Sequence, residues 1–171
     1  MATYDFNGVS YAFPYDAFGF GPLRQNVNLP ALIATPGNLM DSNGNPLSSF
    51  SGFVQSDVLN IFKCPAGYMV THAGLRVTTA EGATAAATMG YDAKTHLGVA
   101  DPNGLIETID LNTAAATYGT VTLGEVAAAA GPDNVTGVVF DENGNVNMTF
   151  TTNDTYAVAV WDVFILGAKV Y

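Results

Sequence analysis

Positive charge is what this 171-residue sequence has least of: five Lys and Arg stand against 15 Asp and Glu, a net charge of −10. The five basic residues, Arg24, Lys63, Arg76, Lys94 and Lys169, are scattered with no run. Binding to DNA or RNA requires clustered cations to neutralise phosphates, so no nucleic-acid contact is expected. The same balance argues against anionic membranes and keeps the free protein soluble. Cys64 is the only cysteine, which excludes an internal disulfide. No apolar run approaches the roughly 18 residues of a membrane span, and the N-terminus shows no signal-peptide pattern. Synthesis in a reducing cytoplasm is therefore expected, and the sequons at Asn134, Asn147 and Asn153 carry no weight.

Charge of either sign is scarce. Only 12% of residues are charged, about half the usual fraction, while 49% are hydrophobic. Such a chain has ample material for a core and little to solvate its surface, which points to a surface partly covered by other subunits. Its length suits one domain that buries about two-thirds of its unfolded surface.

Aromatics, by contrast, crowd the start. Tyr4, Phe6, Tyr11, Phe13, Tyr15, Phe18 and Phe20 are seven of the 19 aromatics (one Trp, eight Tyr, ten Phe). Pro14, Pro22, Pro30, Pro36 and Pro46 punctuate the same region and exclude long helices or central strands there. Residues 1–55 thus read as an extended N-terminal arm ahead of a domain spanning 56–171. Its aromatics are too large to leave in water. Either they form first strands of the chain's own sheets, or they dock on a neighbour; docking is the favoured alternative, and the seven are the candidate partner-binding residues.

From Ser56 the pattern becomes periodic. Short stretches rich in β-branched and aromatic residues occur at 57–63, 68–78, 83–91, 105–111, 120–126, 136–140, 146–152 and 155–166, separated by turn signals. Eight short strands at this spacing predict an antiparallel β-sandwich. Gly74 suggests a bulge inside its strand. The last stretch is apolar on nearly both faces, so a central strand is expected, with Trp161 in the core. The tetrad D-x-N-G at 41–44, 101–104 and 141–144 predicts tight turns, the third of them a hairpin joining 136–140 to 146–152.

Each candidate for chemistry fails at a named position. The D-x-N-x-N starts at Asp41 and Asp141 resemble a calcium loop, but the twelfth positions are Gly52 and Thr152, not the required carboxylate. Cys64 precedes a proline at a strand end, with nothing to activate its thiol, and reads as a buried structural residue. His72 and His96 lie in unrelated segments without metal-site spacing; His72 reads as half-buried and His96 as solvated. Met69, Met89 and Met148 read as core filler. No P-loop, dinucleotide fingerprint or nucleophile elbow occurs. No enzymatic activity and no cofactor or metal is expected.

The stretch 57–103 runs from a strand through Cys-Pro-Ala-Gly-Tyr to a strand ending Thr-Thr-Ala-Glu-Gly. It continues Met-Gly-Tyr-Asp-Ala-Lys-Thr-His-Leu-Gly-Val-Ala-Asp-Pro-Asn-Gly. This resembles a module of tailed-bacteriophage, cyanophage-like virion proteins of the capsid decoration (cement) type, and the Thr-x-Asp-Thr-Tyr-Ala-Val-Ala-Val segment at 152–160 fits its ending. The long aromatic arm and Cys64 before the proline depart from that pattern. The resemblance implies a jelly-roll-like sandwich, a homotrimer bound to the major capsid protein on the outer surface of the head, and no catalytic residue. The alternative is a head-fibre or host-recognition domain that binds glycans, for which Tyr91, Asp92, Tyr118 and Trp161 are the candidates.

Overall fold

The computed structural model describes residues 1–6, 21–82, 84–115, 117–118 and 137–170. Their elements are β1 (Thr3–Phe6), β2 (Gly21–Asn28), helix α1 (Leu29–Ala34), a 3-10 turn (Pro36–Asn38), β3 (Leu39–Met40), β4 (Val58–Cys64), β5 (Tyr68–Thr79), β6 (Ala86–Tyr91), β7 (Asp101–Asp110), β8 (Thr117–Tyr118), β9 (Val138–Val139), β10 (Gly144–Phe150) and β11 (Val160–Lys169). The chain is all-β. The first sheet has the order β3-β1-β4-β10-β6-β7 and the second β2-β11-β5-β8, with β9 also paired to β5. The chain passes repeatedly from one sheet to the other, as in a jelly-roll-like sandwich. Among the described residues no helix is long and apolar enough to cross a membrane.

Period-2 alternation places one face of each sheet in the core. Leu59, Met89, Met148 and Phe150 of the first sheet meet Val70, Leu75, Trp161, Val163 and Ile165 of the second. The Phe150 and Trp161 rings close the layer edge-to-face at 6.3 Å. β11 is central, between β2 and β5. It begins later than the pattern predicts, at Val160, because a side chain holds the preceding backbone. The Glu81 carboxylate accepts hydrogen bonds from the N–H groups of Ala157 (2.7 Å), Val158 (2.9 and 3.1 Å) and Ala159 (2.6 Å). Tyr156 is fully buried, and its hydroxyl donates to the Ala86 carbonyl at 2.7 Å.

Three local expectations need correction. The register shifts along β5 fall at Thr71, between the pairs Leu166–His72 and Gly167–Val70, and at Thr78, between Trp161–Val77 and Val160–Thr79, while Gly74 pairs regularly with Phe164. A glycine opposite an aromatic leaves room for the ring without breaking the ladder. The tetrad at 141–144 is no hairpin: β9 pairs with β5 in the second sheet, β10 with β4 and β6 in the first. Its side chains tie it to other corners. Asn143 Oδ1 accepts from Ala66 N at 3.0 Å, and Glu142 Oε1 from Lys94 N at 2.9 Å. The tetrad at 101–104 opens β7 instead of linking two strands, with Asp101 Oδ1 accepting from Asn103 N at 3.1 Å. Only the tetrad at 41–44 is the tight turn its residues predict. Asp41 Oδ1 accepts from the N–H groups of Asn43 and Asn45, both at 2.9 Å, and Gly44 takes a φ of +79°.

The first 55 residues supply strands to both sheets. β1 runs parallel to β4 and antiparallel to β3. β2 pairs along its whole length with β11. Leu29 and Leu32 of α1, Leu39 and Phe53 are buried in the common core.

Candidate functional site

Of the seven aromatics expected to touch a partner, Tyr4 and Phe6 take the other fate open to them and join the chain's own sheet. Phe6 is buried in the core. Tyr4 lies edge-on to Phe50 at 5.7 Å and Phe53 at 5.3 Å, and Phe53 stacks on Phe150 at 4.4 Å. Burial, and after it the Asp57 carboxylate, raises the Tyr4 hydroxyl above its ordinary pKa. Tyr11, Phe13, Tyr15, Phe18 and Phe20 lie outside the described residues.

The candidate residues for chemistry are not brought together. Cys64 is buried, and desolvation pushes its thiol well above the ordinary range, which removes it as a nucleophile. His72 is half-buried with Nδ1 3.1 Å from Thr71 Oγ1. His96 is exposed, and its Nδ1 accepts from Val139 N at 3.0 Å. Among the described residues no group of three or more His, Cys, Asp or Glu could hold a metal ion. Trp161 is fully buried and Tyr91 almost so, so neither offers a free face for stacking a sugar ring.

A different place is concave. The outward positions of the first sheet fall into transverse rows. Asp5 pairs with Asn60, Asn60 with Asn147, and Asn147 with Gly90, while Thr3, Val58, Thr149 and Thr88 form the next row. Over the end of the first row the start of β7 folds back onto the sheet. A Cβ on Gly90 would stand 2.0 Å from the Asp101 carbonyl oxygen, 2.4 Å from Pro102 C and 2.7 Å from Asn103 N, so only glycine admits this crossing. Pro102 of the crossing backbone lines a groove of about 440 Å³ together with Met1, Val58, Asn60, Asn147 and Thr149.

Two amides of the lining are buried and incompletely satisfied. Asn60 and Asn147 are 6% and 4% exposed, although both stand on the outer face. Asn60 Nδ2 donates to Asp5 Oδ1 at 2.8 Å, yet the Oδ1 atoms of Asn60 and Asn147 have no hydrogen-bond partner. Asp92, also in the lining, accepts from the Asn145 backbone N–H at 2.6 Å and from its side-chain amide at 2.7 Å. Neither asparagine was among the expected site residues. Their signal was an amide in the middle of an apolar strand (Val58-Leu-Asn-Ile-Phe and Val146-Asn-Met), which marks a polar group placed against its environment.

No family model matches the sequence, and no curated protein matches it. Among solved structures the chain is similar to one in the capsid of Ralstonia phage GP4, with a TM-score of 0.50 and 11% sequence identity, over 92% of this chain and 90% of that one. At that identity the likeness is one of fold, and it spans the sandwich from end to end.

Proposed function

We propose that the chain is a structural protein of a phage head: a decoration (cement) protein that binds the outer capsid surface and stabilises contacts between capsomers. The observation that carries this is the fold likeness to a chain of a phage capsid across nine-tenths of both molecules. The charge content of 12% agrees with it, because a surface poor in ions suits coverage by other subunits. On this reading the partners are the major capsid protein and two further copies of the chain, and no substrate is turned over. A protein that binds only where assembled subunits meet stabilises the assembly by mass action. A segment that reaches a neighbouring subunit adds effective concentration. Tyr11, Phe13, Tyr15, Phe18 and Phe20 are the residues assigned to that contact. Tyr4 and Phe6 pair within the first sheet, where Phe6 is buried and Tyr4 half-buried.

The test is co-sedimentation of the purified chain with heads that lack it. The expected result is binding in numbers comparable to the major capsid protein; recovery with tails in a few copies overturns the decoration reading. Replacing the five aromatics by serine, with residues 1–6 retained so that β1 still forms, should weaken binding at least about tenfold, since one buried aromatic anchor alone is worth that much. Unchanged binding refutes their role. Light scattering at micromolar concentration should give three times the chain mass, and a strict monomer refutes the trimer.

A further inference from the structure

Three Asn-Gly pairs stand among the described residues, Asn43-Gly44, Asn103-Gly104 and Asn143-Gly144; Asn7-Gly8 lies outside them. An asparagine before a glycine is chemically labile, because no Cβ shields the glycine nitrogen from the asparagine side chain. That nitrogen attacks Asn Cγ, and the new N–Cγ bond closes a succinimide ring. The bond from Cγ to the side-chain nitrogen breaks, and ammonia leaves with the proton of the glycine N–H. Water then adds at either ring carbonyl and opens the ring to aspartate or isoaspartate, whose carboxyl ionises and releases a proton.

All three asparagines are exposed, so access to water does not separate them. What separates them is how far the chain must open before the nitrogen meets Cγ, since bonded backbone holds the two atoms out of attack geometry. Asn103-Gly104 lies in β7, whose backbone crosses Gly90 so closely that a Cβ there would stand 2.7 Å from Asn103 N. Gly104 is itself buried, and a Cβ on it would stand 2.8 Å from the Tyr91 ring. Asn143-Gly144 is tied on both sides. Asn143 Oδ1 accepts from Ala66 N at 3.0 Å, and Gly144 pairs with Cys64 at the start of β10, where an added Cβ would meet that of Ala93 at 2.1 Å. Neither pair turns without disturbing a strand.

The turn at 41–44 has no such tie. Its hydrogen bonds run among Asp41, Asn43, Gly44 and Asn45. The Asp41 carbonyl accepts from Gly44 N, and its carboxylate accepts from Asn43 N and Asn45 N, each at 2.9 Å. Apart from its chain neighbours, no atom lies within 4 Å of where a Cβ on Gly44 would stand. Opening the bond from Gly44 to Asp41 therefore frees the attacking nitrogen while both sheets stay in place. We propose that Asn43 is a site of spontaneous deamidation, and the first of the three to convert in the folded chain. The product sets a second carboxylate close to that of Asp41, which is held below its ordinary pKa chiefly by the Asn45 N–H. The isoaspartate form also adds a main-chain carbon, which lengthens the turn that Asp41 caps. This inference stands apart from the capsid reading, because the reaction needs no partner.

The experiment incubates the purified full chain at mildly alkaline pH, where the glycine nitrogen loses its proton more readily. Each Asn-Gly peptide is followed by proteolysis and mass spectrometry, and a parallel sample is held in denaturant. In the folded chain Asn43 should convert at least about tenfold faster than Asn103 and Asn143, the factor that roughly one further hydrogen bond to be broken supplies. In denaturant the three rates should draw level, since each asparagine precedes a glycine. An Asn43 that converts no faster than the other two in the folded chain overturns the proposal. A lead of the same size in denaturant also overturns it, because the neighbouring residues and not the fold would then set the order. Neither result depends on capsid binding.

Discussion

Replacing Glu81 by alanine should destabilise the sandwich by about 2–4 kcal/mol. Its carboxylate accepts from three consecutive backbone N–H groups, at 2.6–3.1 Å, just before β11. Ala159 is fully buried, so its N–H is left without water or partner when the carboxylate goes; that alone costs about 1–3 kcal/mol. Val158 is half-exposed and Ala157 partly so, and their N–H groups recover most of their bonding from water. Hydrogen bonds to an ionised acceptor are roughly twice as strong as neutral ones, which adds about 1 kcal/mol for the charge itself. For a domain of this size, 2–4 kcal/mol lowers the thermal midpoint by about 4–16 °C. Glu81→Gln keeps one acceptor oxygen and turns an amide donor toward another donor, so it should lose at least half as much. Chemical denaturation followed by circular dichroism gives the free energies. Amide hydrogen exchange should show the loss concentrated at residues 157–159. If Glu81→Ala stays within about 0.5 kcal/mol of the parent, as an ordinary surface substitution does, the claim that this carboxylate ends the segment before β11 is wrong.

Two further outcomes follow from the geometry. Gly90→Ala drives a methyl into the backbone of 101–103, with its nearest contact at 2.0 Å, and should cost about 1–3 kcal/mol; exposed Thr108→Ala on the same strand β7 should be neutral, and equal effects of the two in a denaturation series would refute the close crossing. Cys64 is 1% exposed with a thiol held protonated by burial, so a disulfide reagent should label it about 100-fold more slowly in the native than in the unfolded chain, and comparable rates would show that the site is open.

The Gly90 and Asn147 pair illustrates why the groove was hard to read in the sequence. Alternation in Val146-Asn-Met-Thr-Phe shows that Asn147 faces away from Met148, but not that Asn60, 87 positions earlier, stands beside it. Nor does a glycine in a strand reveal which backbone crosses it; Gly74 and Gly90 look alike in the sequence, yet one faces a ring and the other a strand. The tetrads make the same point. D-x-N-G has one local meaning at 41–44, where its hydrogen bonds are all within five residues; at 101–104 Thr88 Oγ1 also donates to the Pro102 carbonyl at 2.9 Å, and at 141–144 the backbone N–H groups of Ala66 and Lys94 hold it.

By itself, the sequence determined the class of structure and the charge and thiol content of the chain. Its period-2 apolar pattern commits the backbone to strands, since each strand buries one face whatever its neighbour, and β4, β5 and β10 begin within two residues of where that pattern puts them. The shortage of cations and the single cysteine act through composition, which folding does not change. The tertiary structure alone decided which strands pair, which sheet receives β9 and β10, how 1–6 and 21–40 join the core, and where two unsatisfied amides come to rest under a crossing strand. These are matters of register between segments far apart in the chain. Register is set by long-range hydrogen bonds and by the fit of opposing faces, which no local stretch encodes.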